Sequence, residues 1–414
     1  MKLLILSQYF WPENFRVNDM VGALRSRGHA VTVLTGLPNY PDGSIFDAYS
    51  AAPAQFTAYQ GADIVRVPLL PRGRGALRLV LNYASFVASG STLGAWRMRG
   101  RHFDAIFVYQ PSPITACLPA LVIGRVTRSP VVLWTLDLWP ETLQAVGVIS
   151  SPAMLKLIGR LVSFIYGRCA LVLGQSRGFE ANVARYSGDA RRFRYFPQWS
   201  EDLFSDGGVP GDVAPEAAAF NDTFNVVFAG NIGDAQDFPS VLDAAEYLRH
   251  RSDIRWLIVG DGRAAQWVRE EITRRRLGEH VHLLGRHPIE RMPEFFAAAS
   301  ALLVSLKRDP VFALTIPGKV QTYLASGLPL LGMLDGEGAR VIDDAAAGFT
   351  CAAGDGAALA GMTERMAAIS ADERKAMGRR GLEYAAREFD RDRLLTQLES
   401  WIESLGARPA AASR

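Results

Sequence analysis

Three stretches of this 414-residue chain carry side chains suited to holding an anion or handling a proton. The first is Pro317-Gly318-Lys319, which opens a helix-like run from Val320 to Ser326. Gly327 stands where that helix must stop, Pro329 forbids its continuation, and Leu330 and Leu331 begin an apolar strand. A loop feeding a helix N-terminus offers backbone N–H groups and the positive end of the helix dipole to a phosphate, and Lys319 adds a cation. The same pattern also serves as an ordinary loop–helix–strand unit. The second stretch is FNVVFAG (224–230), a strand, followed by Asn231, Ile232 and Gly233, where glycines let backbone approach a pyrophosphate closely. The third is VVLWTLDLWPET (131–142), an apolar strand that ends at Asp137, with Pro140 opening a helix. A carboxylate at the carboxyl end of a parallel strand sits where α/β sheets bind ligands, although Asp137 could equally cap the helix.

The elements around these stretches read as two α/β domains joined by a linker. Leu3–Ser7 is a candidate first strand, a helix runs from about Val17 to Arg27, and HAVTVLT (29–35) is the next strand, a βαβ opening. It lacks the G-x-G-x-x-G fingerprint, so no nicotinamide site is read there. The expected organisation is a first domain over 1–200, a linker rich in Gly, Pro, Ala and Asp over 201–222, and a second domain over 223–388. A terminal helix over 389–406 and a disordered tail over 407–414 complete it.

The net charge of +3 conceals a split: residues 1–200 carry a balance of +11 and residues 201–414 one of −8. The basic half points to an anionic partner. Arg72, Arg74 and Arg78 precede an uncharged run from Leu79 to Trp96, and Arg97, Arg99 and Arg101 follow it. That run is too polar inside for a spanning helix and suits either an amphipathic helix lying on anionic lipid or a helix packed in the core. Residues 153–168, with Lys156, Arg160 and Arg168 among apolar side chains, form a second candidate. No nucleic-acid-binding motif accompanies the charge. Cys117, Cys169 and Cys351 are far apart and odd in number, which fits a reducing compartment, and the N-terminal MKLLILSQYF reads as a buried strand, not a signal peptide.

The helix ending in YLASG, together with RGHAVTVLTG (27–36) and FAGNIG (228–233), resembles the retaining glycosyltransferases of family 4. QYFWPE (8–13), PNYPDGSIF (38–46) and DLWPE (137–141) are similar to the subgroup containing N-acetyl-L-fucosamine transferases of O-antigen and capsule assembly. The resemblance implies the GT-B fold: α/β, two Rossmann-like domains facing across a cleft, with the C-terminal helix crossing back to the first domain. It implies a nucleotide-sugar donor, UDP-linked, and no metal or other cofactor. The acceptor would be an undecaprenyl-diphosphate-linked saccharide, met at the inner face of the cytoplasmic membrane. By the same resemblance, Glu13 and Asp137 are catalytic candidates, and Asn14, Arg16, Asn39 and Tyr40 line the acceptor side. Gly230, Asn231, Gly233, Arg286, Lys319, Val320 and Thr322 would hold the donor.

The chain departs from the family at its most diagnostic residues. An arginine and a lysine usual in the phosphate loop are replaced by Asn231 and Gln236, so the phosphate charge falls to Lys319, or next to Lys307 or Arg308. The family's paired glutamates fall at Leu314 and Thr322. This reads as a variant donor site, and it keeps two alternatives open: a nucleotide-sugar 2-epimerase of the same fold, and a non-catalytic protein that binds glycan or nucleotide sugar.

Overall fold

The computed structural model describes residues 1–73, 75–200 and 211–406. Arg74, the first ten residues of the expected linker (201–210) and the expected tail (407–414) lie outside them. The chain forms two compact units, Met1–Phe196 with Asp392–Arg414, and Pro197–Arg391.

In the first unit the parallel strands alternate with helices. They are β1 (Lys2–Leu6), β2 (Ala30–Thr35), β3 (Ala58–Tyr59), β4 (Ala62–Arg66), β5 (Ala105–Gln110), β6 (Val131–Thr135), β7 (Leu171–Gly174) and β8 (Phe193–Tyr195). Their order is β3-β4-β2-β1-β5-β6-β7-β8, parallel except for the short β3 hairpin. Leu4, Ile5 and Leu6 in β1 and Val132, Leu133 and Trp134 in β6 are wholly enclosed, as expected of strands covered on both faces. The order reverses between β1 and β5 (Leu6 pairs with Val108), and that is where an open sheet of this kind leaves a crevice at its carboxyl edge. The strand read as ending at Asp137 stops at Thr135, and the short helix Glu141–Ala145 has Pro140 as its N-cap, so Asp137 sits in the loop between them.

The terminal helix Arg391–Gly406 belongs to the first unit. Glu399 accepts from Arg27 (2.7 Å) and contacts His29 Nε2 (2.6 Å), and the Trp401 ring meets that of Phe196 at 6.1 Å. The fold also brings Cys117 and Cys169 together, Sγ to Sγ 3.9 Å, both as buried free thiols, and their hydrogen bond and burial raise the Cys117 pKa. The uncharged run after Arg78 becomes a helix, Ala76–Ser89, continued by a wider turn at Gly90–Gly94 and by Ala95–Met98. It buries Asn82 and Phe86 but leaves Leu77 73% and Trp96 65% exposed. The second basic segment forms the helix Pro152–Tyr166, with Met154, Leu157 and Phe164 exposed.

The second unit holds β9 (Phe224–Ala229), β10 (Ile254–Val259), β11 (Val281–Gly285), β12 (Ala301–Ser305), β13 (Leu330–Met333) and β14 (Gly348–Cys351), all parallel in the order β11-β10-β9-β12-β13-β14. Its core joins Phe228, Trp256, Ile258 and Leu303 on the sheet to Phe238, Leu242 and Val268 on helices. The order reverses between β9 and β12, the second switch point in the chain. Residues 211–222, expected in the linker, lie on this unit: Ala214 donates to Glu294 O (3.1 Å), and Glu216 pairs with Arg291 (2.9 Å).

Arg27 and His29 hold the Glu399 carboxylate pKa down at about 2. The stability this group contributes is therefore present above the ordinary glutamate range and is lost as pH falls through about 2. Glu399→Gln is expected to destabilise the first unit by roughly 1–3 kcal/mol at neutral pH, read by denaturant unfolding. Near pH 2 its penalty should vanish.

Candidate functional sites at the two switch points

The donor candidate in the second unit is built from β9 and the helix Gly318–Ala325. Lys319 and Tyr323 are four residues apart and so share one helix face. Both reach the carboxyl end of β9. The Tyr323 hydroxyl takes the Ala229 N–H (2.9 Å) and bonds the Ala229 carbonyl oxygen (3.1 Å). The half-buried Lys319 places Nζ 3.4 Å from the centre of the Phe228 ring, a cation–π contact. Gly230 at φ +135° makes the space: a Cβ there would lie 2.7 Å from Lys319 Cε and 3.2 Å from Nζ. No carboxylate pairs with Lys319 among the described residues. Burial alone pushes its pKa down to about 7.

The phosphate loop does not offer the row of N–H groups expected of it. The Gly230 N–H goes to Val259 O (2.8 Å), Ile232 to Asp261 O (2.9 Å) and Gly233 to Gln236 Oε1 (3.1 Å). Gly230 and Gly233 therefore shape the loop, and Asn231, exposed between them, is the residue that faces solvent. Val320 is enclosed in the core with its N–H on Pro317 O (2.8 Å), which removes it as a donor contact. Thr322 is half-buried, its hydroxyl donating to Gly318 O (3.2 Å). Arg286 is exposed at the end of the edge strand β11, while Arg308 bonds Ala353 O (3.1 Å) and Lys307 is exposed after β12. Only Lys319 among these cations lies against Gly230. Tyr323 was not singled out from sequence; its i,i+4 spacing from Lys319 is the signal that could have found it.

In the first unit, Glu13 faces inward. Oε1 accepts the N–H groups of Asn39 and Tyr40 (both 2.8 Å) and Oε2 that of Phe10 (3.0 Å). Burial raises its pKa despite these bonds. Both oxygens are committed to tying the loop after β1 to the loop after β2, so Glu13 is a structural carboxylate in place of the catalytic one expected. Asn39 is likewise enclosed, accepting from Arg72 N (2.9 Å) and Asn82 Nδ2 (3.3 Å), because these two loops must be joined without water. Tyr40 is exposed and packs on Tyr9 (5.4 Å) and Phe15 (5.2 Å), Asn14 is exposed, and the Arg16 N–H meets the Tyr109 hydroxyl.

Asp137 is half-buried and accepts from Trp139 Nε1 (3.2 Å) and from the hydroxyls of Thr142 and Ser112. Burial outweighs these bonds and raises its pKa above the usual aspartate range. At the switch point itself stand two residues not read from sequence, Gln8 after β1 and Gln110 at the end of β5. Thr135 donates to Gln110 Oε1 (2.7 Å), and Gln8 donates to Asn82 Oδ1 (2.7 Å). This leaves Gln110 Nε2, a donor, and Gln8 Oε1, an acceptor, buried without a partner among the described residues.

Two parallel sheets of this order, each with its polar residues at the carboxyl edge of a switch point, define a double nucleotide-binding-type α/β protein. The model for the glycosyl transferase 4-like domain matches residues 14–199, and that for the glycosyl transferases group 1 matches 223–368, about four fifths of the chain between them. The chain belongs to this family of GT-B glycosyltransferases. It is 25% identical over 420 residues to a colanic acid biosynthesis glycosyl transferase, WcaI, of Escherichia coli, covering 96% of this chain and 98% of that protein. It is 26% identical over 242 residues to the glycosyltransferase WbjE of Pseudomonas aeruginosa, a match covering 57% of this chain and 59% of WbjE. Among solved structures, HepE of Anabaena in complex with UDP and glucose superposes with TM-score 0.68 at 16% identity, covering 98% of this chain and all of that one. Sucrose-phosphate synthase of Thermosynechococcus elongatus gives 0.71 at 16%, covering 98% and 99%.

Lys319→Met keeps the shape and removes a cation that no carboxylate pairs among the described residues. Because the folded pKa lies below the unfolded one, the unfolded chain binds the extra proton between about pH 7 and 10.5, and wild-type stability rises across that window. The variant is expected to melt higher than wild type below pH 7, with the gap closing towards pH 10, in thermal denaturation without ligand. Gly230→Ala should do the reverse, losing roughly 1–3 kcal/mol as the strained backbone and the displaced lysine are accommodated.

Proposed function

We propose that this enzyme transfers a sugar from a UDP-linked donor to an undecaprenyl-diphosphate-linked saccharide, with retention of configuration, in bacterial surface polysaccharide assembly. The observation that carries the donor half is the Lys319 ammonium set against Gly230 at the β9 switch point with no carboxylate to neutralise it among the described residues. A half-buried cation without a counter-ion favours an anion, and a diphosphate supplies one. In the reaction, Lys319 stabilises the charge that develops on the leaving diphosphate. The diphosphate oxygen takes the proton of the acceptor hydroxyl. Asp137 orients that hydroxyl or steadies positive charge on the sugar ring. The apolar run Phe312–Ile316 suits a donor sugar with little polarity at carbon six, such as N-acetyl-L-fucosamine.

The similarity to WcaI supports the polysaccharide context, and HepE, solved with UDP and glucose, supports the donor base. No helix among the described residues is long and apolar enough to cross a membrane. The exposed Leu77, Val80, Leu81 and Trp96 beside Arg78, Arg97 and Arg99 favour peripheral contact with the inner face of the cytoplasmic membrane, where a lipid-linked acceptor resides.

The test is thermal shift against UDP, GDP, ADP and dTDP. UDP is expected to raise the melting temperature, and Lys319→Ala to weaken its binding about tenfold to a hundredfold. A response to GDP alone would overturn the donor base. With an active donor and acceptor, Asp137→Asn is expected to lower kcat at least about a hundredfold. The acid limb of the wild-type pH–rate profile should lie above the ordinary aspartate range, because the raised pKa protonates Asp137 early as pH falls.

A further inference from the structure

At the amino ends of β6, β7 and β8, opposite the edge that carries Asp137, the first unit has an open cavity of about 280 Å³. Its walls include Arg125 from the last turn of the helix Leu118–Thr127, Arg168 from the turn before β7, and Arg192 from the turn before β8. Two helices end here, and helix carboxyl ends attract cations, so part of this charge is spent locally. Arg168 donates to Phe164 O (3.2 Å) and lies over the Phe164 ring (3.7 Å), and Arg192 donates to Cys169 O. A guanidinium has five N–H donors, however, and these bonds use one on each. Arg192 Nε is buried without any partner among the described residues.

Among the described residues the one carboxylate that feels this cluster is Asp189, through the field of Arg192. None of the three arginines is in an ion pair among the described residues, and the neighbouring Asp189 is already held by Arg191 (2.9 Å). Three guanidiniums on one concave surface, with donors to spare, match the oxygens of a phosphate group. The same two helices expose Val122, Val126 and Phe164 to solvent, an apolar setting that a lipid headgroup would meet and a free anion would not need.

We propose that this cavity is a second anion site that binds a phosphate monoester or diester group, separate from the donor site. It does not rest on the donor reading, and Lys319→Met is used as the parent so that the donor site is weakened equally in the cavity and control variants. Two probes separate the sources of the phosphate. Calorimetry with inorganic phosphate and pyrophosphate reads a free anion. Co-sedimentation with phosphatidylcholine vesicles, with and without phosphatidylglycerol, reads a headgroup. The variant is Arg125→Ala/Arg168→Ala, both side chains being exposed and replaceable without opening the core. A control variant, Arg379→Ala/Arg387→Ala in the second unit, removes the same charge elsewhere.

The parent is expected to bind at least one probe, and the cavity variant to lose roughly tenfold or more of that binding while its melting temperature and the control stay near the parent. Loss confined to phosphatidylglycerol vesicles assigns the site to a headgroup, and loss with soluble phosphate alone assigns it to a free anion. A parent that binds neither probe, or a cavity variant that binds as well as the control, overturns the proposal.

Discussion

The candidate donor site in the second unit is organised around one contact: the Lys319 ammonium on the Phe228 ring at the end of β9. Three residues must agree for it to exist. Gly230 leaves out a side chain that would collide with Lys319, Tyr323 pins the same helix face to Ala229, and Phe228 supplies a negative ring face. The chain has five lysines against forty arginines, and the one at this position is the cation that can sit half-buried at reduced charge. An arginine would remain fully charged there. The site is therefore poised: its cation is part-neutral when empty and gains charge when a phosphate arrives.

The loop chemistry follows from that placement. With the N–H groups of Gly230, Ile232 and Gly233 turned to Val259, Asp261 and Gln236, the phosphate loop holds itself in shape without a ligand. Binding then relies on side chains reaching over a rigid backbone, Lys319 foremost. This accounts for a chain in which Asn231 and Gln236 occupy positions that carry charge in much of the family. In the first unit, Glu13 has a comparable internal duty, joining two loops through three amides, and that rigidity leaves Asp137, Tyr40 and the Gln8–Gln110 pair at the carboxyl edge of the sheet.

The fold was legible because its signals are local. Apolar runs such as VVLWT and FNVVFA, broken by glycine and proline, give buried parallel strands alternating with helices, and Lys319 stood out as a cation at a helix start. The roles of Glu13, Asn39 and Val320 were not legible, because a residue's direction depends on what the next loop leaves unsatisfied. Glu13 and Asn39 are 26 residues apart, and no pattern within either segment shows that one carboxylate serves the other's amide. Gln8 and Gln110 were missed for the same reason: only the pairing of β1 with β5 makes them neighbours. The cysteines repeat the lesson, 52 residues apart in sequence and 3.9 Å apart in the fold.

The central claim is that Lys319 is a half-buried cation waiting for a phosphate, and NMR titration of the lysine ε-methylenes tests it most directly. With five lysines in the chain, the Lys319 signal is assignable from the spectrum of Lys319→Met. The account predicts a free-state pKa of about 7 that rises when UDP is added. A Lys319 that titrates near 10.5 with and without UDP would contradict it.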